Sequence, residues 1–215
     1  MIRRRDGWSI VLAGSWNRSL FLPEWVEPRL FPEPGMEIEI ALLPALPVIY
    51  RDQQVSMEIA WGRLVFRPLN LADDAGLLRA EGMARSMLQA LPETPVQAVG
   101  INFGFREQIP PGHVLAMFND VDDAELGQQG WAIGERKLAR RLTRDNDALA
   151  LTMTYNGESV DIDFNFHTDT QANAVAQQAV EARRSLRLRD AAIDLLRQTY
   201  HLELEEDDDG DGDGN

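Results

Sequence analysis

The run VDIDFNFHTDT, Val160–Thr170, alternates two chemistries along the chain. Asp161, Asp163, Asn165, His167 and Asp169 take every second position, and Val160, Ile162, Phe164 and Phe166 fall between them. Successive side chains of a β-strand point to opposite faces, so the polar set forms one row. Carboxylates and an imidazole in such a row could hold a divalent metal or relay a proton, and Asp161, Asp163 and His167 are the candidate metal ligands. Strand neighbours two apart lie roughly 6.5–7 Å from each other, whereas ligand bonds run about 2.0–2.5 Å. A metal there needs ligands from a second segment. His113 and the acidic loop with Asp120, Asp122, Asp123 and Glu125 are the available helpers. The competing reading is an amphipathic strand that turns its polar face to water, and the spacing favours it.

Arg136, Lys137, Arg140, Arg141 and Arg144 form the one dense basic cluster, a candidate contact for an anion or a partner. The plainer reading is a charged edge strand, which discourages unwanted pairing. At the C-terminus, Asp209, Asp211, Asp213 and Gly214 match the first positions of a calcium-binding loop. The chain stops before the bidentate acid such a loop needs, so the expectation for 205–215 is a disordered acidic tail. The common catalytic signatures are missing: no GxGxxG, P-loop, GxSxG or HExxH occurs. Only His113, His167 and His201 offer an imidazole.

Composition narrows the classes further. With 44% hydrophobic and 26% charged residues the chain is ordinary for a soluble globular protein. No apolar run approaches the ~18 residues that span a bilayer. The opening MIRRRDGWSIVLAG has a basic start but a short apolar run, and SWNR follows where a signal-peptide cleavage site would stand. Zero cysteines exclude disulfides, thiolate metal sites and cysteine nucleophiles, and fit a cytoplasmic protein. Half of the net charge of −14 sits in Glu205–Asn215, which has seven acids and no base, and the remaining chain is acidic too. That argues against nucleic acid and for a basic protein partner.

The elements that must position these residues are legible in part. Gly7–Gly14 reads as a central strand, apolar on both faces. Pro23 suits the first turn of a short helix that Pro28 ends. Met36–Leu43 alternates with Glu37 and Glu39 outward. Val55–Pro68 reads as a hairpin turning at Gly62, with Val55, Met57, Ile59 and Trp61 inward. Asn70 is expected to cap a helix whose stripe is Leu77, Ala80, Ala84, Met87, Leu88 and Leu91. Thr94–Phe105 is a strand with Val99, Ile101, Phe103 and Phe105 on one side. Its other side, Ala98, Gly100, Asn102 and Gly104, is small enough to admit another backbone.

Residues 131–142 are read as a strand, because Arg144-Asp145-Asn146-Asp147 is turn material before Ala148–Tyr155. Asn156-Gly157 then joins Ala148–Tyr155 to Ser159–His167 in a hairpin. Asp169 or Thr170 is expected to cap one long helix reaching about His201. Its apolar residues from Leu186 to Leu202 fill over half the wheel, so it needs cover on two sides, from the sheet and from something else. GINFGF (100–105) aligns with DFNFHT (163–168), Asn102 on Asn165, a short match compatible with an internal duplication.

These readings combine into an α+β protein: a mainly antiparallel sheet, two hairpin–helix units and a long C-terminal helix packed on the sheet. One domain over 1–204 is expected. The leading functional expectation is a noncatalytic cytosolic interaction protein without a cofactor: an adaptor, an assembly subunit, or an inhibitor or immunity-type protein that binds a basic partner. A homodimer through the C-terminal helix would satisfy that helix's second side. The alternative from another class is a metal-dependent hydrolase or nuclease built on Asp161, Asp163 and His167.

Overall fold

The computed structural model describes residues 1–40, 47–144 and 147–205. Its centre is a strand pair: β7 (Val96–Glu107) runs antiparallel to β10 (Val160–Asp169), with Phe103 opposite Phe164 and Asn102 opposite Asn165. On the far side of β7 lie β2 (Ser9–Gly14) and, in line with it, the short β1 (Ile2–Arg3). Outward from β2 follow β6 (Arg63–Pro68), β5 (Val55–Ala60), β4 (Val48–Arg51) and β3 (Glu37–Ile40). Outward from β10 follow β9 (Asp147–Tyr155) and β8 (Arg136–Arg144). These ten strands make one antiparallel sheet.

Alternation divides the sheet into two faces. Ile10, Leu12, Met57, Ile59, Leu64, Phe66, Val99, Ile101, Phe103, Phe105, Leu151, Met153, Ile162 and Phe164 point to one side and are buried. The helices stand on that side: α1 (Pro23–Leu30), α2 (Ala75–Ala90), α3 (Gly112–Leu115), α4 (Asp123–Gln128), α5 (Asn173–Ala179) and α6 (Arg184–Tyr200). α2 lies against β6, β2 and β5, while α6 lies against β7 and α2. The α+β fold with its C-terminal helix on an antiparallel sheet is as the sequence implies. No helix among the described residues is long and apolar enough to cross a membrane.

Several local expectations give way. Pro28 sits inside α1, which continues to Leu30. Val26 and Leu30 anchor it in the core, and the Val26 and Phe31 N–H groups still reach Leu22 and Glu27, so only one backbone bond is forfeited. Trp61 lies in the hairpin turn, 77% exposed, with the Arg18 guanidinium 5.2 Å from its ring centre. Gly62 takes φ +70° in that turn, which ends the alternation one residue early. Asn70 does not cap α2: it folds a turn by accepting the Ala72 N–H, and the helix begins five residues later. Residues 131–135 precede β8 rather than belong to it. The turn residues 145–146, residues 41–43 of the expected strand and the tail from 206 with its calcium-like pattern lie outside the described residues.

The largest correction concerns the C-terminal helix, which is two helices. Neither Asp169 nor Thr170 caps it. Asp169 bonds His167, and the Thr170 hydroxyl donates to the Val96 carbonyl. The break falls at Arg183, whose φ of +63° is left-handed. Glu81, on α2 and only 1% exposed, makes the break possible. Its two carboxylate oxygens accept the Arg183 and Ser185 backbone N–H groups, each at 2.7 Å. A helix start leaves its first N–H groups without partners, and a negative charge there also meets the positive end of the helix dipole. Glu81 therefore caps α6 from another helix. α6 buries Leu186, Leu188, Ala192, Leu196 and Tyr200, and its Ala191 and Leu195 face a groove beside β8.

Glu81→Ala would strand two buried N–H donors. It should cost roughly 3 kcal/mol in chemical denaturation, and Glu81→Gln, which keeps one acceptor, should cost less.

Candidate functional site

The second face of the sheet carries the tight turn Arg5–Gly7 between β1 and β2. Five residues, 4–8, pass over the stretch of β7 between the partners of Arg3 (Phe105) and Ser9 (Asn102). The excess chain is thrown outward above Gly104. A Cβ on Gly104 would stand 2.7 Å from the Gly7 Cα, so both positions require glycine. The small side of β7 thus admits another backbone, as its composition implies.

The turn delivers Arg4 onto the row from β10. Arg4 Nη1 lies 3.3 Å from Asp161 Oδ2 and 3.3 Å from Asp163 Oδ1, and Nη2 lies 3.1 Å from Asp6 Oδ2. Arg106, the register partner of Asp161, holds it with two hydrogen bonds, Nε–Oδ1 at 2.6 Å and Nη2–Oδ2 at 2.8 Å. This two-pronged geometry is the strong form of the pair. Arg67 extends the chain sideways, donating to the Asp6 carbonyl at 3.4 Å and meeting Glu58 at 3.4 Å. Next along the row, the Asn165 amide donates to Asn102, and Asn102 donates to the Ser9 hydroxyl at 3.0 Å. The residues aligned by the internal match, Asn102 and Asn165, are therefore cross-strand partners.

Charge in the cluster is tightly set. Burial lifts the Asp163 carboxyl above the ordinary carboxylate range, and the neighbouring Asp161 charge adds to that against the pull of Arg4. Hydrogen bonding to Arg4 lowers Asp6, and bonding to Asp161 holds Arg106 still more firmly protonated. Both oxygens of Asp161 are engaged by guanidinium groups. Such a carboxylate has little to offer an incoming metal.

The remaining candidates are scattered. His167 bonds Asp169, Nε2–Oδ1 2.7 Å, and lines a shallow trough of about 400 Å³ floored by Ala148 and Ala150 with Arg141 and Thr143 on its far wall. The acidic loop sits at the other end of the sheet and on the helix side, where Asp123 pairs with Arg136 at 2.9 Å. The β9 partners of Arg136 and His167, Tyr155 and Ala148, stand seven residue steps apart, about 23 Å. His113 lies with the helices, its Nε2 2.8 Å from the Tyr200 carbonyl and therefore donating to it. Asp161 and Asp163 are brought together, but by arginine. Among the described residues no three His, Asp or Glu side chains are placed to hold a metal ion.

The basic cluster is divided by its strand. Arg136 and Arg140 point to the helix side, bonded to Asp123 and to the Tyr200 hydroxyl (2.9 Å). Lys137 and Arg141 share the open face with the polar row. The chain matches no protein-family model and has no significant relative among curated proteins.

Sequence reasoning missed Arg4, Asp6 and Arg106. A signal existed for Arg106, the one base at small-face spacing after Ala98, Gly100, Asn102 and Gly104. None existed for Arg4, which arrives through a turn.

Asp161 and Asp163 should respond oppositely to neutralisation. A raised pKa means that the folded protein binds the Asp163 proton more tightly than the unfolded chain does, so its charge costs stability above the folded pKa. That cost fades as pH falls through the raised value toward the ordinary one. Asp163→Asn should melt at or above wild type near neutral pH, with the gain shrinking in acid, whereas Asp161→Asn should melt lower. A thermal melt series across pH 3–8 reads both. In the same assay Gly104→Ala should lose about 1–3 kcal/mol through overpacking against Gly7.

Proposed function

We propose that the chain is a noncatalytic cytosolic interaction protein, an adaptor or assembly subunit, that receives a basic protein partner on the open face of its sheet. The observation that carries this reading is the Arg4–Asp161–Asp163–Arg106 cluster. It commits the most reactive part of the polar row to internal ion pairs and leaves it as a fixed, pre-ordered surface. Preorganised polar groups spare a binding partner the cost of ordering them, whereas a catalytic acid or base must be free to exchange its proton. The partner's charge is inferred from the net −14 of the chain, which steers basic proteins toward it. An inhibitor of a basic protein would use the same complementarity. The lack of cysteine in the sequence suits the reducing cytoplasm.

The test is capture of partners from native extract with the full chain, followed by footprinting of the complex. Protection is expected on Asn102, Thr152, Asn165 and their open-face neighbours, with binding weakened by salt. Protection confined to the helix side would remove the reading. So would a large thermal stabilisation by manganese or magnesium that His167→Ala abolishes, because that result belongs to a metal-dependent hydrolase or nuclease.

A further inference from the structure

The two outermost strands of the sheet, β3 and β8, differ in a complementary way. On the open face β3 presents Glu37 and Glu39, whereas β8 presents Lys137 and Arg141. Among the described residues the side chains of Lys137, Arg141 and Glu39 make no ion pair, while Glu37 is held by Arg51 of β4, Nε–Oε2 2.8 Å. On the helix side β3 projects Ile38 (38% exposed) and Ile40 (68% exposed). β8 has the converse there: a groove of about 150 Å³ between it and α6, lined by Leu142, Leu149, Phe166, Ala191 and Leu195. One edge carries acids and apolar knobs, and the other carries bases and an apolar hollow.

From these observations we propose that the chain associates with further copies of itself head to tail, the β3 edge of one copy adding to the β8 edge of the next. An edge strand offers a row of unpaired backbone N–H and C=O groups, and pairing with another chain satisfies them. The strand order fixes the geometry. Eight antiparallel steps separate β3 from β8, so they run the same way. A copy translated along the sheet therefore docks its β3 parallel to β8 with both faces continuous. With Glu39 level with Arg141, Glu37 falls between Lys137 and Arg141, and Ile40 is level with Leu142 at the mouth of the groove. Symmetric pairing is disfavoured by the same residues. β3 on β3 sets Glu37 and Glu39 against their own kind, and β8 on β8 does so with Lys137 and Arg141; like charges opposite each other destabilise a pair. A heterologous contact of this kind closes into a ring or grows as a filament, according to the twist between copies.

The contact uses the sheet edges and is independent of partner binding on the open face, so either can fail alone. Sedimentation velocity of the full chain over a concentration series at low salt should show mass rising with concentration, and 1 M salt should reduce it through screening. The double variants Glu37→Lys/Glu39→Lys and Lys137→Glu/Arg141→Glu should each lose self-association. An equimolar mixture of the two should regain it, because the altered β3 of one variant then meets the altered β8 of the other, and the native β3 of the second meets the native β8 of the first. Ile40→Lys, at an exposed position that the fold does not need, should weaken association at least tenfold. A wild-type chain that stays monomeric at every concentration overturns the proposal. So does self-association indifferent to both charge reversals, or a mixture that remains monomeric while both variants keep the wild-type circular dichroism spectrum.

Discussion

The register between β7 and β10 is the constraint on which the rest depends. It sets Phe105 opposite Ile162, Phe103 opposite Phe164 and Ile101 opposite Phe166 on one face. The same pairing sets Arg106 opposite Asp161, Gly104 opposite Asp163 and Asn102 opposite Asn165 on the other. A slip of one residue would exchange the two sets. The apolar side decides the matter. Each buried aromatic side chain contributes about 1.5–3 kcal/mol, and edge-on ring contacts at 5.8 and 6.1 Å (Phe105–Phe164, Phe103–Phe166) add to this. A partly exposed ion pair contributes about 0–1 kcal/mol. The ionic cluster is therefore a consequence of where the core places it, and the charges follow the phenylalanines.

That hierarchy explains what the sequence disclosed. Whatever is written in two-residue alternation was legible: the Val55–Ala60 and Arg63–Pro68 hairpin, the Asn156-Gly157 turn, the apolar side of β7 and the polar row of β10 all stand where the pattern puts them. The stripe of α2 was legible for the same reason, but its most informative residue was overlooked. Glu81 lies four residues after Leu77 and three before Ala84, squarely on the buried side. An acid in that place asks for partners, and the partners are the N–H groups that divide the C-terminal helix. Sequence periodicity runs on through Arg183 because a helix break capped from outside leaves no local trace. Trp61 shows the opposite error: alternation was extended one residue into a turn that Gly62 governs.

The polar row itself was read correctly as a row and incompletely as a site. A period of two says which side chains share a face. It says nothing of which segment crosses above them. Arg4 reaches Asp161 and Asp163 across more than 150 positions of sequence, through a turn whose only advance sign is the pair Gly7 and Gly104. The helpers chosen for their residue types, His113 and the Asp120–Glu125 loop, are held elsewhere by Tyr200 and Arg136. Acids in an acidic chain are plentiful. What distinguishes Asp161 and Asp163 is the arginines, and those came from the segments least constrained by pattern.

Gly104 is where the two faces are joined. Its carbonyl accepts both the Arg4 backbone N–H at 2.9 Å and the Trp8 indole N–H at 3.0 Å. Trp8 turns inward, its ring 5.0 Å from Phe103 and 5.8 Å from Phe105, while four residues earlier Arg4 turns outward over Asp163. The turn between them is thus pinned at one end by the aromatic core and at the other by the ion cluster, with one carbonyl shared. Displacement of the turn would release a buried indole donor and uncover two carboxylates together. Rigidity on the open face is therefore drawn from the core beneath it, and a polar surface that could otherwise fluctuate with solvent is held in one arrangement.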